Sequence, residues 1–302
     1  MGEPSVTTET YETLRPLAFS IAYRMLGSVA EAEDVVQEGL LRLHRADAVE
    51  HPKAFVATVV TRLSIDELRS ARSRRETYVG SWLPEPLITT DSRPDDDSVS
   101  LALLVTLESL NPVERAVFLL HDVFDYDFAE VGRIVGKTPA TCRQHAVRAR
   151  RFIAENRPRF DASEKERDEL VGRFFAAAER GDVDGLIEVL AEDVIVHGDG
   201  GGKVPQWYEP IAGADKVARL FARMGAQMQA MGATLEPHRI NGQPGVIFRG
   251  PHGGVFSVMS FEVVDGRVAT IRSVVNPDKL GHLGPVESLR DVLGATGPAR
   301  DT

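Results

Sequence analysis

The chain has 302 residues, 43% hydrophobic and 26% charged, enough apolar surface for more than one core and too much for wholesale disorder. No run approaches the ~20 apolar residues of a membrane span and no signal-peptide pattern opens the chain, so a cytoplasmic protein is expected. Its single cysteine, Cys142, excludes an internal disulfide and a thiolate-rich zinc site. The net charge of −10 argues against a sequence-blind nucleic-acid coat, yet basic islands at Arg62–Arg75 and Arg133–Arg151 point to DNA contact at chosen places.

From about Tyr11 to Val79 the apolar spacing predicts helices. Gly27-Ser28 reads as a stop and an N-cap, with Ser28 and Glu31 as a capping box for a helix through Arg45. His51-Pro52 opens the next helix, which runs to about Arg75. On the second helix Asp34, Gln37 and Glu38 share one side, while Val36, Leu40 and Leu43 line the other. A solvated acidic face is the ordinary meaning of such a pattern. Here the neighbouring helix carries Arg62, Arg69, Arg72, Arg74 and Arg75, which favours one face for a protein partner and another for DNA phosphates.

Trp82-Leu83-Pro84-Glu85-Pro86-Leu87 and the acidic stretch after it lack a helical period and predict a linker, whose Trp and Leu are too apolar to stay undocked. Helices resume near Val99. Asn111-Pro112 with Glu114 starts one, and two short helices follow, Phe128–Val135 and Pro139–Glu155. Asp127 and Glu130 cap the first, Gly136 ends it in the left-handed conformation, and Thr138-Pro139 starts the second, a helix-turn-helix outline. Cys142, Ala146, Ala149 and Ile153 fall on one face and predict its core. Arg143, Gln144, His145 and Arg148 then point outward, with Arg and Gln suited to base edges and Arg150 and Arg151 to phosphates. A basic solvated hairpin is the plainer alternative.

Beyond Glu164 helices to about Gly181, at Val183–Leu190 and at Asp215–Gln229 are followed by alternating, β-branched stretches. These are Val194–His197, Ala233–Ile240, Gly245–Arg249, Val255–Val264 and Val268–Val275, the last two joined by a hairpin at Asp265-Gly266. A separate α+β domain is expected.

Asp34-x-x-Gln37-Glu38, the Arg62–Arg75 helix and the helix-turn-helix ending TCRQHAVRAR, in that order, resemble extracytoplasmic-function (ECF) sigma factors. The resemblance implies two all-α domains, a region 2 helical bundle over residues 8–79 and a region 4 helix-turn-helix over 99–158, joined by a linker at 80–98. It implies that Asp34, Gln37, Glu38 and Leu41 meet the β′ clamp helices of core RNA polymerase and that region 4 sits at the β flap. Arg62, Arg69, Arg72, Arg74 and Arg75 would meet the −10 promoter element. Thr138, Arg143, Gln144, His145, Arg148, Arg150 and Arg151 would serve the −35 element. Leu63, where the family often has Asn, and Ala146, where it has a larger aliphatic, depart from the pattern.

A subgroup of that family, the sigma-J type, shares three further motifs, present here as Trp82–Pro86, Asp199–Lys203 and Asn276–Leu280. It implies a C-terminal α+β SnoaL-like cone-shaped barrel, residues 164–293, that regulates the sigma core in cis. The residues assigned to that regulation are Trp82, Leu83, Pro84, Glu85 and Pro86, with Asp199, Gly200, Gly201, Gly202 and Lys203, and Asn276, Pro277, Asp278, Lys279 and Leu280. Lys203 and Lys279 are expected to meet Glu85 or the acidic linker, and Trp82 and Leu83 to fill an apolar cleft. Asp199, ahead of three glycines, reads as a turn cap.

An acid–base site in the barrel would draw on His197, Asp199, Lys203, Trp207, Tyr208, His238 and Asp278. No metal spacing is present, and neither catalysis nor a cofactor is expected. A small ligand in the barrel stays open. The alternatives are a SnoaL-like ligand-binding or catalytic domain fused to a DNA-binding adaptor, and a repressor that works without polymerase.

Overall fold

In the computed structural model the structure describes residues 8–46, 49–89, 100–156, 163–204 and 206–294. It forms two compact units, residues 1–77 with 103–157 and residues 78–102 with 158–302. Among the described residues no helix is long and apolar enough to cross a membrane.

The first unit is helical. α1 (Thr8–Leu26), α2 (Val29–Arg45) and α3 (Pro52–Glu76) pack around Ile21, Met25, Val36, Leu43, Val56 and Val60, all buried. Ser28 accepts from the Glu31 N–H and starts α2. Gly39 lets α3 approach closely, since a Cβ there would lie 2.9 Å from Val60 Cγ2. α4 (Leu101–Glu108) and α5 (Pro112–Phe118) follow, then a π-helical turn over Leu119–Val123, then α6 (Phe128–Val135) and α7 (Pro139–Asn156). Periodicity did not anticipate the π turn. Asn111 caps α5, and Asp127 with Glu130 forms a full capping box on α6.

Arg115 of α5 is 1% exposed and donates to the Arg24 carbonyl at 3.1 and 2.9 Å and to Glu108 at 2.5 Å. A buried guanidinium held this way neutralises the partial negative charge at the end of α1 and ties the second helical group to the first.

The second unit is a six-stranded sheet with helices on its inner face. Its elements are α8 (Glu164–Glu179), α9 (Val183–Val189), β1 (Leu190–Asp199), β2 (Ile211–Ala212), α10 (Ala214–Ala230), β3 (Thr234–Ile240), β4 (Gln243–Arg249), β5 (Val255–Val264), β6 (Arg267–Val274) and α11 (Leu289–Gly294). The strand order is β2-β1-β6-β5-β4-β3, parallel only between β1 and β6. Irregularities in register at Phe248/Arg249 and Glu262/Val263 curl the sheet. Val196, Ile271, Phe261, Met259 and Val246 face the helices around Phe174, which meets Phe221 and Phe261 ring edge to face.

The register puts Asp199, Val274, Val258 and Ile247 in one row on the outer face, all at most 1% exposed. β1 is longer at both ends than its alternating stretch predicts, because pairing with β6 rather than local pattern holds Leu190 and Asp199 in the strand. The two-residue β2 is too short to leave a sequence signal.

Candidate functional site

In α7, Cys142, Ala146, Ala149 and Ile153 are buried, and the first two pack with Val117, Leu120, Val131 and Ile134. Burying that stripe turns Arg143, Gln144 and Arg148 to solvent, with His145 half-buried. Gly136 (φ 67°) sets the turn, and the Thr138 hydroxyl accepts from the Thr141 N–H. Arg143 lies over the Phe128 ring at 5.5 Å, so its guanidinium is oriented without an acidic partner among the described residues. The other cations have local partners: Arg150 with Asp122 at 2.6 Å, Arg151 with Glu155 at 2.9 Å and Arg148 with Glu114 at 3.8 Å. These exposed pairs are weak, and a phosphate could replace the carboxylates at little cost. The buried Cys142 thiol is pushed up by desolvation, which keeps it a packing residue.

On α2, Asp34 and Gln37 are exposed, Glu38 holds Arg42 at 2.7 Å, and Leu41 is exposed beside an open groove lined by Tyr11, Val36, Gln37 and Leu40. Its lining mixes apolar Val36, Leu40 and Leu41 with polar Arg15, Glu33, Gln37 and His44.

Arg62 is not free: it donates to the Ile134 carbonyl at 2.8 Å and the Arg133 carbonyl at 2.9 Å, at the end of α6. Arg69 pairs with Asp66 at 3.0 Å. The side chains of Arg72, Arg74 and Arg75 lie outside the described residues.

The densest polar constellation is in the second unit. The Asp199 carboxylate accepts from the Leu83 N–H at 2.8 Å, from Lys279 Nζ at 2.7 Å and from the Tyr78 hydroxyl. Lys279 also donates to the Leu83 carbonyl at 2.6 Å, and its ammonium lies 4.3 Å from the Trp82 ring centre and 5.0 Å from that of Tyr78. A carboxylate, a carbonyl and two aromatic faces thus enclose the Lys279 ammonium. Desolvation, reinforced by the bond to Asp199, pushes the Tyr78 phenol well above its ordinary range. The Asn276 amide donates to the Tyr78 hydroxyl at 2.9 Å.

From there the chain runs across the outer face of the sheet. His282 Nε2 contacts the Pro86 carbonyl at 2.7 Å, Leu87 exchanges two 2.8 Å bonds with Asn241, and the Thr89 N–H donates to the Arg239 carbonyl at 2.9 Å. Leu83, Pro84, Glu85 and Pro86 are buried. Gly201 and Gly202, at φ 59° and 71°, bring the backbone against this segment: a Cβ at Gly201 would collide with the Asn276 amide, and one at Gly202 would lie 3.1 Å from Val79 Cβ.

Three sequence expectations change. Asp199 does not cap its own glycine loop; the strand carries its carboxylate to the outer face, where linker and Lys279 reach it. Lys279 meets Asp199 and the Leu83 carbonyl, and Lys203 pairs with Asp278, both about half exposed. Glu85 faces His282 at 4.0 Å. The acidic stretch at residues 90–99 lies outside the described residues. Reasoning from sequence missed Tyr78, Asn241 and His282. Asn241-Gly242 (φ 52° and 74°) signalled only a hairpin turn, with nothing to say that its side chain reaches the linker.

The proposed acid–base residues are scattered. His197 and His238 occupy the outer-face row through Arg272, Ser260 and Gly245. Burial and then the Arg272 charge push His197 below the ordinary imidazole range. Tyr208 is exposed, and of the set Trp207 alone lines the inner cavity.

Residues 10–74 match Sigma-70 region 2, residues 100–153 match Sigma-70 region 4, and residues 171–275 match the SnoaL-like domain. The ECF RNA polymerase sigma factor SigJ of Mycobacterium tuberculosis is 38% identical over 289 residues, 89% of this chain and 91% of that protein. This chain belongs to the ECF sigma factors. "Probable ECF RNA polymerase sigma factor SigI" of the same species is 30% identical over 292 residues, 94% of this chain and 98% of that one. The crystal structure of SigJ superposes with a TM-score of 0.73 at 33% identity, covering 93% of this chain and all (100%) of that chain. The buried linker, Asp199 and Lys279 are thus features of an ECF sigma factor with a fused SnoaL-like domain.

Proposed function

We propose that this sigma factor directs core RNA polymerase to promoters bearing specific −10 and −35 elements, and that its SnoaL-like domain controls it in cis. The observation that carries the reading is the outward face of α7, where Arg143 and Gln144 are exposed over a fully buried opposite stripe. Arg143 and Gln144 read base edges at −35, and Arg148, Arg150 and Arg151 hold phosphates. Asp34, Gln37, Glu38 and Leu41 meet the β′ clamp helices, with the groove beside Leu41 taking the partner's side chains. Region 4 meets the β flap. Arg62, Arg69, Arg72, Arg74 and Arg75 serve the −10 element once Arg62 leaves the end of α6.

Control in cis works through the linker, which the C-terminal domain holds at Asp199, Asn241 and Lys279. A bound and a released linker are two states whose balance a signal can shift. A small ligand in the barrel is the input. The domain is not an enzyme in this reading: among the described residues no ionisable side chain lines its inner cavity to serve as a general acid or base there. The test is in vitro transcription. Promoter-specific transcripts should appear only when this chain is added to core polymerase. Tight binding to operator DNA by the chain alone, with no initiation on any promoter, would refute it.

A further inference from the structure

Arg148, Arg150 and Arg151 each lie within 3.8 Å of a carboxylate, whereas the outward Arg143 is held among the described residues by the Phe128 ring, whose centre is 5.5 Å from its guanidinium carbon. The difference matters for base reading. A carboxylate occupies the N–H groups that a base edge needs and has to be displaced first. An aromatic face attracts the cation and leaves those N–H groups free.

The seat is itself fixed. Phe128 is the first residue of α6, directly after the Asp127 cap, and packs against the helix-turn-helix core of Val117, Val131 and Ile134. His121 lies against the same ring, with centres 3.8 Å apart and planes 33° apart. The π turn carries His121, whose Nδ1 is 2.8 Å from the Tyr126 carbonyl, a hydrogen bond that holds the imidazole in place. An arginine free to rotate loses that freedom when it engages the correct base, while on a wrong base it swings to a phosphate or to water. Seating it beforehand lowers the ordering cost of the correct complex alone and so widens the gap between bases. We propose that Phe128 is a positioning residue for promoter recognition: its ring, backed by His121, seats the Arg143 guanidinium before DNA arrives and sharpens its choice of base at one −35 position. The role rests on the assignment of Arg143 to a base edge.

The experiment measures transcription by the full chain with core polymerase on promoters that differ by single bases across the −35 element. Phe128→Leu and Phe128→Met keep an apolar side chain of similar volume and remove the ring. Each should lower discrimination by about 2- to 5-fold, the worth of an exposed cation–π contact, at the position that Arg143→Ala relaxes and at no other. Phe128→Tyr, which keeps the ring, should restore the profile. Combined with Arg143→Ala, Phe128→Leu should relax nothing further. A purely structural Phe128 would instead weaken all promoters alike. That uniform loss in both ring-free variants, relaxation at a different position, further relaxation without Arg143, or no rescue by tyrosine would each overturn the proposal. If Arg143→Ala relaxes one position and the ring-free variants do not, the role of Phe128 alone falls. If Arg143→Ala leaves the whole profile unchanged, the assignment of Arg143 to a base falls, and the role of Phe128 with it.

Discussion

Replacing Asp199 by Ala removes the acceptor of three donors at once: the Leu83 N–H, Lys279 Nζ and the Tyr78 hydroxyl. Asp199 is fully buried and the Lys279 side chain 9% exposed, so the lysine loses the carboxylate 2.7 Å from its Nζ where water is largely excluded. Removing one partner of a buried ion pair costs about 3–5 kcal/mol. The orphaned N–H and hydroxyl overlap with that figure rather than adding to it, because all three donors share one carboxylate. The loss falls on the docked linker, since the Asp199 carbonyl still accepts from the Val275 and Asn276 N–H groups and holds the strand end. Amide hydrogen exchange across residues 78–89 reads this directly: at 1.4 kcal/mol per tenfold, exchange at Leu83 should rise by about 100- to 4,000-fold. Adding Lys279→Met removes the other half of the pair, so the double variant should be less perturbed than the sum of the single ones. Unchanged exchange at Leu83 in Asp199→Ala, or strict additivity in the double variant, would show that this ion pair does not anchor the linker.

Gly201→Ala places a side chain at φ 59° against the Asn276 amide. It should cost about 1–2 kcal/mol or more and speed exchange over residues 78–89, read by thermal unfolding and mass spectrometry. Arg62→Met removes two hydrogen bonds to the end of α6 and, being largely exposed, should lower the stability of the helical unit by about 1 kcal/mol in urea unfolding. His197 has a lowered folded-state pKa, so the unfolded chain takes up the proton first as pH falls. Stability should therefore drop as pH falls below the ordinary imidazole value and level off below the lowered one, and His197→Gln should flatten that part of the profile. Arg143→Ala should relax discrimination at one −35 position by about 1–3 kcal/mol, measured by transcription from a set of single-base promoter variants.

The first half of the fold is legible in the sequence because its signals are local. Ser28, Asn111, Asp127 and Gly136 each announce a helix end within a few residues of it, and the stripe from Cys142 to Ile153 fixes which side of α7 is buried. The strands are legible in existence and less so in extent: β1 borrows its ends from β6, which no window on the sequence contains. The linker site was half visible. Three motifs marked the segments that meet, but the pairing of Asp199 with Lys279 and Leu83 depends on which face of β1 the carboxylate takes. A one-residue change in strand register reverses that face. Tyr78 left no signal and Asn241 only that of a turn, since their contacts are set by chain segments more than a hundred residues away.

In the proposed function the linker also separates the two stretches of chain assigned to promoter DNA, α3 before it and α7 after it. Fixed on the C-terminal sheet, residues 78–89 contribute a set displacement to that path; released, they add up to ~3.5 Å of reach per residue. In that reading the Asp199–Lys279 pair works as a stop on tether length. The tether sets the effective concentration of one DNA-reading module at its site once the other has bound. Under the proposed function, a closed stop makes the distance between the two promoter elements a selected quantity, and an open one brings promoters of more varied spacing within reach.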